Sequence, residues 1–234
     1  MIFAEGEFWK SLNPWEGCSG AVSEGCDNCW IMEQCKRWGK DGRKVRATLG
    51  WQAKLNRQKP TIYAAFGMDF CDPEASPEWR KAFLLAVMYV PRHQVLVCTK
   101  RADLLAECLK MVDHRIIPNL WVGVTTENQA RFDERVPLLC KAWEGRKFVI
   151  AEPLLGPVDL ENTQMWLDAG FIDWVLAGRE TGPRAREAHH VWFDFLIMQC
   201  AVNDVPLWLK SVPDGVEKVR QMPGEIVAIY GVAK

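Results

Sequence analysis

Histidine is scarce in this 234-residue chain: there are four, and none in the first ninety residues. That excludes a histidine-rich metal centre near the N-terminus. No run of about 18 apolar residues is present to span a membrane as a helix. The N-terminus lacks the basic-then-apolar order of a signal peptide, so a cytoplasmic protein is expected. No linker, low-complexity tract or repeat divides the chain, which predicts one domain over 1–234. The net charge of −1 excludes a strongly basic or acidic protein overall. Disulfides are not expected either. Nine cysteines is an odd number, and Cys98, Cys108, Cys140 and Cys200 lie in apolar stretches as buried free thiols would.

What the chain does have is a cysteine triplet, Cys18, Cys26 and Cys29, in a C-x7-C-x2-C spacing. Three thiolates can hold three corners of a cubic iron–sulfur cluster and leave the fourth iron open for a substrate or cofactor. Structural zinc is the alternative, but zinc wants four ligands, and the nearest further thiol, Cys35, falls on the helix expected next. Plain buried thiols are the third reading. Gly17, Gly20 and Gly25 favour a metal-binding loop, because glycine turns tightly and brings amide donors near sulfur.

Charge is unevenly spread. From Lys36 to Lys59 there are nine basic residues against Asp41 alone, a local charge of +8, so the rest of the chain carries −9. With Trp38 and Trp51 interleaved, this segment suits phosphates and stacked bases. It reads equally as a solvated helix face followed by a basic loop.

Six apolar runs read as strands: Thr61–Phe66, Gln94–Cys98, Leu120–Val124, Lys147–Ala151, Ile172–Ala177 and Val205–Leu209. Helical spacing covers Pro77–Val90 (capped by Ser76), Ala102–Val112, Asn128–Trp143, Thr163–Ala169 and His189–Val202. The alternation predicts an α/β fold with a mainly parallel sheet, either a barrel or an open doubly wound sheet. Each strand run is followed within three positions by an ionisable residue. Ligand sites in such folds gather at strand C-termini.

Five blocks stand out: Asn13-Pro-Trp-Glu-Gly-Cys18, Gly25-Cys-Asp-Asn-Cys29, Leu96-Val-Cys-Thr-Lys-Arg101, Ala151-Glu-Pro-Leu-Leu-Gly-Pro-Val-Asp-Leu160 and Gly178-Arg-Glu-Thr-Gly-Pro183. In these the chain resembles the phage-associated three-Cys-motif proteins, a family of formerly unknown function similar to radical SAM enzymes. The resemblance implies a partial (βα)6-type radical SAM-like barrel with a cluster loop at 13–30, strand and helix repeats over 61–210 and a short extension at 211–234. It implies a 4Fe–4S cluster on Cys18, Cys26 and Cys29, with S-adenosylmethionine on the open iron as the source of a 5′-deoxyadenosyl radical. The spacing departs from the usual C-x3-C-x2-C, Asn28 stands where an aromatic is common, and Arg179 stands where a second glycine often does.

By position, Gly67, Met68 and Asp69 match the turn that binds the methionyl amino group. Thr99 and Lys100 are candidates for its carboxylate, Thr125 and Glu127 for the ribose, and Glu152 for the amino acid part of a ligand or for pairing with Lys100 or Lys210. Arg101, Arg179, Glu180 and Lys210 are candidates for the substrate. For Asp69 a solvated turn, for Glu127 the first turn of a helix capped by Thr126, and for Arg179 and Glu180 a mutual ion pair are the structural alternatives. Trp15 and Trp30 are candidates to shield the cluster. The resemblance also suggests the substrate, a thymine base carrying an amino acid such as glycine, in phage DNA or as a nucleotide, rearranged by an isomerase or mutase reaction in the bacterial host's cytoplasm. An electron donor such as a flavodoxin is then a partner, and no membrane is. Two rivals remain: a radical SAM reaction on a peptide or small metabolite, and a zinc-stabilised nucleic-acid-binding module without catalysis.

Overall fold

Runs buried on both faces are what a parallel sheet needs, and all six become strands within two residues of the expected bounds. A computed structural model of the chain describes residues 9–113, 115–160 and 172–230. Its strands are β1 (Lys10–Ser11), β2 (Trp15–Glu16), β3 (Arg46–Ala47), β4 (Ile62–Ala65), β5 (Gln94–Thr99), β6 (Leu120–Thr125), β7 (Arg146–Ala151), β8 (Trp174–Gly178) and β9 (Leu207–Ser211). Its helices are α1 (Trp30–Arg37), α2 (Trp51–Leu55), α3 (Pro77–Met88), α4 (Leu105–Leu109), α5 (Gln129–Ala142), α6 (His190–Val202) and α7 (Gly224–Tyr230). The helix expected over Thr163–Ala169 lies outside the described residues.

Seven strands form one sheet in the order β1-β4-β5-β6-β7-β8-β9, and every pairing in it is parallel. Spatial order therefore follows chain order. The sheet is a curled half-barrel, not a doubly wound sheet, which would reverse direction at its middle. β2 and β3 pair separately and antiparallel. β1 adds a strand to the six expected; two residues are too few to leave an alternation in the sequence.

Alternate residues divide the core. Tyr63, Val95, Val97, Val122, Val149, Val175 and Leu207 face outward and pack with α3, α5 and α6 through Phe83, Phe132 and Phe193. The concave face carries Ile62, Leu96, Trp121, Phe148, Trp174 and Trp208, with Ile226 of α7 and Met222 packed against them. The Trp121 indole donates to Gln94 at 2.7 Å and the Trp174 indole to the Gln221 carbonyl at 3.0 Å, so these buried rings keep their polar atoms satisfied. Aromatics and the C-terminal segment thus fill the end of the half-barrel from which the strands begin. At mid-strand Gly123 makes room for Phe148: a Cβ there would lie 2.6 Å from the ring.

Helix ends follow local chemistry. Ser76 caps α3 by accepting the Glu78 amide, with Pro77 at the first position. Asn128, not Thr126, caps α5 by accepting the Arg131 amide. That shift leaves Glu127 outside the helix, free to turn into the site.

Candidate functional site

The cysteine loop lies over the C-terminal ends of the strands. Gly17 enters it at φ +93° and bridges to Met68, just after β4. An alanine there would be strained by its φ, and its Cβ would stand 2.3 Å from the Lys44 carbonyl oxygen. The Cys18 amide then donates to Gly42 O at 3.0 Å. A short 3-10 turn, Glu24–Cys26, precedes Cys29, which sits at the N-terminus of α1. All three thiols are free and partly exposed.

Four groups of strand-end residues hold this loop. After β4 and β5, Asp69 accepts from the Thr99 hydroxyl at 2.5 Å, the Cys71 amide at 2.9 Å, the Lys100 amide at 3.2 Å and Arg101 Nη1 at 2.8 Å. Asp72, fully buried, accepts the Ser19 amide at 2.8 Å and lies 3.6 Å from Arg101. Arg101 reaches on to the Cys18 sulfur, with Nη1 at 3.7 Å and Nη2 at 3.9 Å. Arg101 therefore faces the loop, whereas its sequence position suggested a substrate contact. Burial pushes the Cys18 thiol above its ordinary pKa, with the Gly20 carbonyl bond and Arg101 acting against it.

After β6, Glu127 has no exposed side-chain surface. It accepts the Ser23 hydroxyl at 2.7 Å and pairs with Lys100 at 3.3 Å and with Arg135 of α5 at 2.9 Å. Burial opposes ionisation, but the two cations and Ser23 outweigh it and hold this carboxyl below the usual range. Just beside it, Glu24 of the loop accepts from Asn128 at 2.5 Å and pairs with Arg131 at 3.0 Å. The Arg131 guanidinium brings the Glu24 carboxyl down to about 2.

After β8, Glu180 is buried and takes both Arg186 and the Asn28 side chain, next to Cys29. Burial pushes its pKa up, and the Arg186 and Asn28 bonds more than reverse that. Arg186 also donates to the Glu24 carbonyl at 2.9 Å. The Arg179–Glu180 pair considered from sequence does not form: Arg179 is exposed, and Glu180 turns to Arg186.

Within the concavity, Lys210 of β9 pairs with Glu152 after β7 at 2.7 Å, its ammonium 5.7 Å from the Trp9 ring. The Glu152–Pro153 peptide bond is cis. Cys98 is buried on this face, and burial drives its thiol up to about 12. Thr125 ends β6 buried, its carbonyl accepting from Arg135. Met68 is buried, and the Gly67 amide donates to Asn13 at 3.1 Å. The expected residues thus do not form one cluster. Asp69, Thr99, Arg101, Glu127 and Glu180 brace the cysteine loop, whereas Glu152 and Lys210 face the concavity.

Trp15 is part of the core, stacked on Phe70, whereas Trp30 is exposed at the start of α1. Asp72, Ser23, Arg135 and Arg186 were not picked out from sequence. Arg135 left a signal: it sits on the apolar stripe Phe132, Val136 and Leu139, where a charge needs a buried partner.

The donor set can be tested against the two metals. Among the described residues, no three His, Cys, Asp or Glu side chains converge on a single ion. Cys35, the thiol a tetrahedral zinc site would recruit, is buried on α1 with 3% exposure. An amide points at one of the three sulfurs, Val22 N–H at 3.5 Å from Cys26, the kind of donor that cluster sulfurs accept from. Three thiols in a loop with amide and guanidinium donors fit an iron–sulfur cluster better than zinc.

No curated protein matches the chain. Among solved structures, spore photoproduct lyase (a C140A/S76C mutant with bound AdoMet and dinucleoside spore photoproduct) is similar in fold, with a TM-score of 0.59 at 11% identity. The match covers 89% of this chain and 78% of that one. At that identity the likeness speaks for the fold alone. Sequence kinship comes from a family model that spans residues 7–223, and by it the chain belongs to the family described as "Protein of unknown function (DUF5131)".

Proposed function

We propose that this protein is a radical SAM enzyme of the phage three-Cys-motif type, with a 4Fe–4S cluster on Cys18, Cys26 and Cys29 and S-adenosylmethionine as cofactor. Its proposed substrate is an amino-acid-modified thymine base, of the glycyl-thymidine kind, in DNA or as a nucleotide. One observation carries the reading. Carboxylates and an arginine from the ends of β4, β5, β6 and β8 all turn to the cysteine loop and hold it over the mouth of a parallel half-barrel. A fold that only needed zinc for stability would have no reason to build its loop there.

When bound, the cluster and S-adenosylmethionine supply a 5′-deoxyadenosyl radical able to take hydrogen from an unactivated carbon. The chain's own part is to bind, orient and exclude. Arg101 places positive charge beside Cys18 and stabilises its thiolate. Glu127 and Glu180 fix Ser23 and Asn28, so the loop has little freedom to shift. Glu152 and Lys210 present a carboxylate and an ammonium from β7 and β9, on either side of β8, the complement of a zwitterionic amino acid group. The aromatic floor keeps water from the concavity below them. The modified base is suggested by the likeness to a structure holding AdoMet and a dinucleoside spore photoproduct, and by the exposed basic segment after α1.

The first test is anaerobic purification, reconstitution with iron and sulfide, and absorbance with EPR of the reduced protein, with and without S-adenosylmethionine. A brown protein whose cluster signal shifts with S-adenosylmethionine is expected. A colourless protein with one stoichiometric zinc would overturn the enzyme reading. The second test supplies glycyl-thymidine-containing oligonucleotide and nucleotide and follows 5′-deoxyadenosine and an isomeric base by mass spectrometry.

A further inference from the structure

We propose that Glu152 and Lys210 are the receptor for the amino-acid end of the substrate, their mutual ion pair exchanging for pairs with the ligand's ammonium and carboxylate, and that Gly178 is the residue that makes room for it. The pair is built across a strand: Glu152 follows β7, Lys210 belongs to β9, and β8 lies between them. Two local irregularities bring the charges to 2.7 Å from one another. Ala177 pairs with Leu209 but Gly178 with Ser211, so Lys210 is the extra residue of a β-bulge, a device that re-aims a side chain. Gly178 ends β8, and a Cβ there would stand 3.2 Å from the Glu152 carboxyl carbon and 3.0 Å from the Ser211 hydroxyl oxygen. Gly178 is not among the residues at positive φ, so glycine is needed there for space and not for backbone conformation.

Charge and placement argue the occupant. Other strand-end charges are engaged with the cysteine loop: Asp69 and Arg101 beside Cys18, Glu127 on Ser23, Glu180 on Asn28. Glu152 and Lys210 are engaged with each other, and both still reach solvent, at 23% and 20% side-chain exposure. A simple anion or cation drawn to this pair would leave one of its charges unmatched. A zwitterion matches both. An α-amino acid carries its ammonium and carboxylate on one carbon, so it can meet the Glu152 carboxylate and the Lys210 ammonium together and exchange one charge-assisted pair for two. The methionyl end of S-adenosylmethionine has the same chemistry. Its place in the reading above is the open iron over the cysteine loop, which leaves this second set of charges to the substrate. In an N-linked glycyl-thymidine the base hangs on the nitrogen, so this polarity points the base toward β7.

The receptor rests on the substrate reading above for the identity of the base, but its test needs no turnover. The full chain, with and without iron–sulfur reconstitution, is titrated calorimetrically with glycyl-thymidine, and with thymidine as the control. Glycyl-thymidine is expected to bind at least about tenfold more tightly than thymidine. The charge-swap variant E152K/K210E keeps an ion pair but reverses its polarity. It is expected to hold the wild-type Tm and to bind glycyl-thymidine about tenfold to a hundredfold more weakly, whereas a merely structural pair is indifferent to polarity. Gly178→Ala keeps both charges but presses on the Glu152 carboxylate, and it should weaken binding too; it decides the matter if the swap does not fold. Wild-type binding in the folded variants overturns the proposal. So does displacement of glycyl-thymidine by S-adenosylmethionine, which would assign the pair to the cofactor. If the cluster forms and responds to S-adenosylmethionine but glycyl-thymidine binds no better than thymidine, the receptor fails and the enzyme reading stands. If glycyl-thymidine binds as expected and no cluster forms, the enzyme reading fails and the receptor stands.

Discussion

Replacing Glu127 by glutamine keeps the size of the side chain and an acceptor for Ser23, but removes one buried charge facing two cations. Glu127 has 0% side-chain exposure and Arg135 2%, so the buried guanidinium would lose its closest carboxylate and keep only half-exposed Glu134, 3.9 Å from Nε. Breaking such a buried pair costs about 3–5 kcal/mol. The retained amide favours the lower end, about 3 kcal/mol. For a domain of this size that corresponds to a fall in Tm of about 6–12 °C. Glu134→Gln is the comparison: Glu134 pairs with Arg131 at a half-exposed site and stands 3.9 Å from Arg135 Nε, a weaker contact that should cost at most about 1 kcal/mol. Urea denaturation of the two variants side by side measures the difference. The double variant E127L/R135M should recover part of the loss, because the buried guanidinium is gone and the cation that remains, Lys100, still reaches solvent. The pH dependence follows from the sign of the shift. The folded carboxyl titrates below its unfolded value, so the unfolded chain binds the extra proton between the two. The Glu127 contribution is complete above the usual carboxylate range and is lost as pH falls through that range to the folded value. Glu127→Gln should lack this part of the acid slope. If Glu127→Gln cost no more than Glu134→Gln, the idea that this carboxylate is a buried brace would be refuted.

Gly17→Ala, which forces a side chain against Lys44 O at positive φ, is expected to lower iron bound per chain after reconstitution, read by metal analysis; full loading would show that the loop can relax around it. Arg101→Gln leaves buried Asp69 and Asp72 without their cation and takes the positive charge from Cys18, so iron retention should fall and the cluster's midpoint potential drop. An unchanged potential in a loaded variant would place Arg101 outside the cluster's field. Gly123→Ala pushes into the Phe148 ring and should cost about 1–3 kcal/mol in urea while iron loading stays as in wild type. A stability change below measurement would mean that the ring has room to move.

What the sequence revealed and what it hid divide along a physical line. Strands buried on both faces advertise themselves as apolar runs, and β4 to β9 were legible for that reason. Strands of two residues, such as β1 and the β2–β3 pair, carry no period to read. The ends of strands were legible as positions: Asp69, Thr99, Glu127 and Glu180 all belong to the network that holds the cysteine loop. Their partners were not legible. Glu127 meets Ser23 across 104 residues and Asn28 meets Glu180 across 152, and no local pattern encodes such a meeting. The expected Arg179–Glu180 pair shows the limit of neighbour reasoning, since at the end of a strand adjacent side chains leave on opposite faces. Tryptophan was ambiguous in the same way. Trp51 and Trp38 look alike in a basic segment, and only packing against Phe83 places Trp51 in the core.

The long reach of these contacts also sets when the cysteine loop can come into being. Residues 18–29 emerge early in synthesis, yet their anchors lie on segments that end about 80, 100 and 160 positions later. Closing loops of that length before the sheet exists would cost chain entropy with nothing to offset it. The nascent loop therefore stays open, its thiols accessible, until β8 has docked and the Gly178–Arg186 segment has folded back over it. High contact order of this kind makes assembly of the loop a late event in folding. A cluster on this loop would then be loaded after chain completion, and the three thiols stay accessible throughout translation.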